Sequence, residues 1–260
     1  MFLTPVMWAL LSMLLWTGLV VLPPATLASA SLAAPVFAGA CVLATLVVYA
    51  IDRRQTFPVP PRIWALPRAR LGVAAAIAGL GITLLSSEVG NIVASLVPTD
   101  ALIDTTGPSA PSLLEAFVLG VLYPICLVAV AHGVSQRALL LTPLRPWVII
   151  IVTVLIASVG DLFWPWAQRV LMLGLPAWIY MRSLSLGLAL CAAMPGRLIS
   201  AAIALGWAPG VPGFDLTGHD VVLWQPIWLD VLGGVLVAIG VQPLLRAFAP
   251  SGEKAGEATR

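Results

Sequence analysis

Tyr123-Pro-Ile-Cys-Leu-Val-Ala-Val-Ala-His-Gly-Val-Ser-Gln-Arg-Ala-Leu-Leu140 is an apolar run whose first ionisable side chain is His132, with Arg137 as the next. Joined to the apolar residues before it, the run reaches the roughly 20 residues a helix needs to cross a ~30 Å hydrocarbon core. It reads as a membrane span, with Arg137 as its exit toward the cytoplasm.

The whole chain shares this character. Of its 260 residues 60% are hydrophobic and only 9% are charged, whereas a soluble domain carries roughly a quarter charged. Runs this long and uniform exclude the short alternating strands of an outer-membrane barrel. The expectation is an all-α, polytopic helix bundle. Spans are predicted at about 6–22, 31–51, 71–96, 113–135, 146–163, 168–181, 184–206 and 222–247. They form a single transmembrane domain over 1–248, followed by a polar, disordered tail over 249–260. The sixth span contains Pro176 and is short, so a tilted, broken or partly embedded helix is expected there. Ala28-Ser-Ala30 resembles a signal-peptide cleavage site, but no basic segment precedes the first apolar run, which is read as a retained helix.

Basic residues near span ends stay on the cytoplasmic side. Threaded as eight spans, the Arg53 to Arg70 link, Arg137, Arg145, Arg182 and the tail fall on one face, with Arg169 as the exception. Both termini are thus expected in the cytoplasm, and the protein in a bacterial inner membrane. The net charge of +2, spread over several loops, argues against nucleic acid as a partner. Phe57 and Trp64 interleave with arginine as an interfacial anchor would. The three cysteines, Cys41, Cys126 and Cys191, lie inside apolar runs without CxxC spacing and read as small core residues. His219 and Asp220 in the 207–221 loop lack a third ligand, so no metal and no cofactor is expected.

Ionisable groups within spans mark function or compensating pairs. Here they are Glu88, Glu115, His132, Asp161, Arg197 and Asp230. Asp161 and Arg197 each lie about 14 residues from the start of their spans, near 21 Å in depth, which predicts a buried ion pair. Glu88 and Asn91, one helical turn apart, form a polar stripe facing the bundle. His132 is nearer the cytoplasmic face and reads as a packing or snorkelling histidine. Glu115 is expected to reach water, and Asp230 has no obvious partner.

Over about 71–206 the chain resembles the CPBP family of intramembrane proteases, the group that includes the CAAX prenyl endopeptidases and bacteriocin-processing homologues. The order of features carries the likeness: a span ending in Glu88 to Pro98, a polar loop, and then Tyr-Pro-Ile-Cys-Leu-Val-Ala-Val-Ala-His-Gly where the family has Pro-x-x-Glu-Glu-x-x-x-Arg-Gly. Arg-Pro-Trp-Val-Ile-Ile follows before the fifth span, and Met-Arg-Ser-Leu-Ser enters the seventh. The resemblance implies a glutamate pair, two histidines and an asparagine or aspartate around a cavity, where they activate water and hold the oxyanion. On this chain the glutamates fall on Leu127 and Val128 and the motif arginine on His132. The first histidine falls on Gly160 or, shifted by one, Asp161; the second falls on Ala193 and the asparagine on Arg197. Aliphatic side chains take no proton. The resemblance therefore implies the family's frame without its activity: a pseudoprotease whose apolar cavity binds a membrane peptide or lipid, or whose surface binds another membrane protein. The alternatives are an active endopeptidase with a rearranged site using Asp161, His132 or Glu88, and a small permease.

Overall fold

The computed structural model describes residues 4–25, 30–55, 57–58, 63–64, 67–96, 112–158, 165–214 and 224–249. Among them the chain is helical, with no strand. Helices occupy Pro5–Ala25 (α1), Ala30–Asp52 (α2), Ala69–Ser95 (α3), Leu113–Leu139 (α4), Pro146–Ala157 (α5), Pro165–Ser183 (α6), Leu186–Ala204 (α7) and Ile227–Phe248 (α8). Five of these helices, α2, α3, α4, α7 and α8, include stretches long and apolar enough to cross a membrane; α1 and α5 contribute shorter apolar stretches. Large apolar side chains such as Leu43, Leu46, Val73, Val231 and Ile239 stand exposed on the outer faces. Water would penalise that surface, and hydrocarbon accommodates it.

Several expected boundaries change. The fifth span, predicted over 146–163, is helical to Ala157, and the residues after Ser158 up to Trp164 lie outside the described residues. The sixth is longer than predicted and runs unbroken through Pro176. Membrane helices tolerate proline because neighbouring helices re-satisfy the freed carbonyl; Pro35, Pro195 and Pro243 are also helical. The first turn of α4 is held by a capping box, in which Ser112 accepts from the Glu115 amide while Glu115 accepts from the Ser112 amide. Farther on α4 loosens into π-helical turns at Val118–Leu122 and Ala131–Gln136.

The helices form two groups joined through α6 and α7. In one, α3 packs against α6, α7 and α8; in the other, α4 packs against α1, α2, α5 and α7. The reason lies in side-chain size. Ala74, Ala75, Ala78, Gly79 and Gly81 line the buried face of α3 and let neighbouring backbones come close. A methyl group added at Gly81 would lie 2.6 Å from the Gly233 carbonyl, and one at Gly240 would lie 2.6 Å from the Ala74 carbonyl. On α1, Trp8, Ser12, Trp16 and Val20 recur every fourth residue and are all buried, the spacing of one helical face. Trp16 Nε1 donates to Thr45 Oγ1 on α2 at 3.1 Å.

α6 turns into α7 within two residues, which drives Leu184 to a φ of +52°. Side chains pay for this left-handed conformation through a Cβ clash that glycine lacks. Leu184→Gly is expected to stabilise the protein by about 1 kcal/mol, read as a raised unfolding midpoint in detergent. A lowered midpoint would show that the leucine side chain contributes more by packing than the turn costs.

Candidate functional site

A small cavity opens where α3, α4, α6 and α7 meet. Tyr123, Pro124, Leu127 and Val128 form the α4 wall, Ala192, Ala193 and Arg197 the α7 wall, Arg169, Met172 and Leu173 the α6 wall, and Thr83 closes it from α3. These positions follow helical periodicity, with Tyr123 and Leu127 one turn apart, as are Val128 and His132 farther along. The free volume is about 30 Å³, room for one or two water-sized groups. Arg169 Nη1 donates to the Tyr123 hydroxyl at 2.9 Å, its guanidinium 5.8 Å from the ring centre. The Thr83 hydroxyl donates to the Gly79 carbonyl at 2.9 Å.

Chemically, this wall holds aliphatic groups, two hydroxyls and two guanidiniums. Guanidinium cannot be deprotonated in a protein, and none of the described lining residues is a carboxylate or a histidine. Leu127, Val128, Ala193 and Arg197 are thus brought together. Gly160 and Asp161 lie outside the described residues, and with them the Asp161–Arg197 pair.

No family model, curated protein or solved structure matches the chain.

His132 faces elsewhere. It is fully buried, which corrects the snorkelling alternative in favour of packing. Its Nδ1 shares a 2.7 Å hydrogen bond with Gln136 Oε1, and Gln136 Nε2 donates to the Ala177 carbonyl at 2.8 Å. The imidazole stacks near Tyr180 at 6.0 Å between ring centres.

The same end of α4 holds a pair that the sequence reading missed. Arg137 is buried, not a solvated exit, and its Nη2 makes an ion pair with Asp52 at the end of α2. The other Asp52 oxygen accepts from Trp8 Nε1 at 2.8 Å. Beside it the Ser12 and Ser135 hydroxyls are 2.8 Å apart, and Ser135 also donates to the Ala9 carbonyl. Three helices, α1, α2 and α4, are thus tied by polar contacts inside the bundle. A signal was available: Asp52 and Arg137 both sit at predicted cytoplasmic span ends, the depth comparison applied to Asp161 and Arg197.

Glu88 and Asn91 occupy the far end of α3. Asn91 Nδ2 donates to Glu88 Oε2 at 2.9 Å and to the Gly213 carbonyl at 2.7 Å, while Ser87 donates to the Gly213 carbonyl at 3.0 Å. The stripe fastens the segment after α7 to α3. Glu115 is partly exposed at the start of α4, and His219 and Asp220 lie outside the described residues. Cys41, Cys126 and Cys191 are free thiols, the first two buried.

Proposed function

We propose that the protein is a membrane-embedded binding protein on a CPBP-like frame, without the family's hydrolytic chemistry. In this proposal the chain crosses a bacterial inner membrane eight times with both termini cytoplasmic, and its α4–α6–α7 cavity receives the tip of an apolar chain from a membrane peptide or lipid. The observation that carries it is the cavity wall: Leu127, Val128 and Ala193 stand where the resemblance would put acids and a histidine. The arginine-bearing loops support the topology. The rearranged-protease alternative has less support, because Glu88 bonds to Asn91 and the Gln225 amide while His132 bonds to Gln136, two separate neighbourhoods. A permease with paired broken helices has less support, because α6 runs unbroken through Pro176.

The test has two arms. Purified full-length protein is incubated with candidate membrane peptides beside Asp161→Ala and His132→Ala variants, with no cleavage expected from any of the three; cleavage by the parent that both substitutions abolish overturns the proposal. In vesicles containing a photoreactive acyl lipid or an apolar photoreactive peptide, Ala193→Phe is expected to reduce labelling of α4 and α7 severalfold by filling the cavity. Labelling undiminished with both probes also overturns it.

A further inference from the structure

Between the outer ends of α3 and α8 lies a second polar cluster that the cavity does not use. The two helices are antiparallel: Gly240 faces Ala74 and Ala78, and Gly233 faces Gly81, Leu84 and Leu85. One turn farther out, this register brings Asp230 of α8 beside Glu88 of α3. Gln225, just before α8, lies along the same face. Its backbone amide donates to Glu88 Oε2 at 3.2 Å and its side-chain Nε2 to the Leu84 carbonyl at 3.1 Å.

Two buried oxygens here have no hydrogen-bond partner among the described residues, Asp230 Oδ1 and Gln225 Oε1. Gln225 is only 6% exposed; its side chain is tied to the Leu84 carbonyl and its backbone to Glu88. An orphaned buried acceptor costs about 1–3 kcal/mol, and like charges side by side add to that cost. A bound cation answers both. Glu88 Oε2 takes two donors, the Asn91 side-chain amide and the Gln225 backbone amide. No group of three or more His, Cys, Asp or Glu is gathered for a metal among the described residues, so the ligand set is two carboxylates and an amide oxygen, with water completing the shell. All-oxygen, irregular coordination suits a large hard divalent ion such as calcium better than magnesium, which demands near-octahedral geometry.

We propose that Glu88, Asp230 and the Gln225 side-chain oxygen form a hard divalent cation site that clamps α8 to α3. This is independent of the cavity proposal. Trp224 and Trp228 flank the site in sequence, so terbium(III) chloride, a luminescent stand-in for calcium excited through tryptophan, is the probe. Full-length protein, stripped with EDTA, is expected to give sensitised emission that calcium chloride competes away. Asp230→Asn and Glu88→Gln are each expected to weaken terbium binding by about tenfold or more. If neither variant elutes as folded protein, the parent decides: its thermal midpoint is expected to rise with calcium chloride and fall back with EDTA. No emission from the parent, emission that neither variant weakens, or a calcium-independent midpoint would each overturn the site. So would a protonated-carboxyl infrared band at neutral pH that Asp230→Asn removes, since the two acids would then share a proton.

Discussion

Replacing Arg137 by leucine is expected to destabilise the protein by about 3–5 kcal/mol, because it leaves Asp52 as a buried charge without its counter-ion. The carboxylate is 3% exposed and, among the described residues, would retain the Trp8 indole as its side-chain donor. Asp52→Leu is expected to cost a similar amount by stranding the guanidinium. The double variant, Asp52→Leu with Arg137→Leu, is expected to recover most of the loss, since an apolar pair of comparable volume avoids the desolvation that an ion pair must overcome. Unfolding midpoints in detergent for the four proteins close a double-mutant cycle. Additive losses would mean that the two residues act separately. Substantial coupling would identify the pair as the fastener between the α1–α2 hairpin and α4, at the end where His132 and Tyr180 are buried.

The helices were legible because their signal is physical and local: a bilayer sets the length of an apolar run, and the all-α class follows from it. α2, α3 and α7 begin and end within two residues of the predicted runs. The α5–α6 region was harder to place, because 146–168 is apolar and aromatic nearly throughout, so hydropathy offers little to mark a boundary. Pro165 is the better marker, as the first position of a helix tolerates a missing N–H. The buried ion pair was masked for a different reason. Asp52 precedes Arg53 and Arg54, so its local sequence describes a solvated basic link, and the shared span-end depth was the hint that it turns inward to a residue 85 positions away. The π-helical turn at Ala131–Gln136 has no distinct composition at all. His132 lies within it, and the fold seats its side chain against Gln136 and Tyr180.

Gly79→Leu is expected to be the most disruptive single change in the helix interfaces, at about 3 kcal/mol or more, beyond the usual range for overpacking. Even the first carbon of a side chain at Gly79 would collide with the α7 backbone at Ala192, lying 2.9 Å from its Cα and 2.7 Å from its carbonyl carbon. Backbone cannot swing aside as a flexible side chain can, so α7 must shift as a unit. The displacement would reach the cavity, because Ala192, Ala193 and Arg197 form its α7 wall. Gly234→Leu is the matched control. A Cβ there meets nothing within 4 Å, and the position is exposed on α8, so the change is expected to be neutral or mildly stabilising through the better helix propensity of leucine. Comparing the two variants separates crowding from propensity: a loss at Gly79 with none at Gly234 assigns the cost to the close α3–α7 approach, and reduced photolabelling of the cavity by Gly79→Leu at temperatures where it remains folded would show that this approach sets the cavity's shape. Equal losses at both positions would instead mean that the small residues of α3 do not govern how closely its neighbours pack.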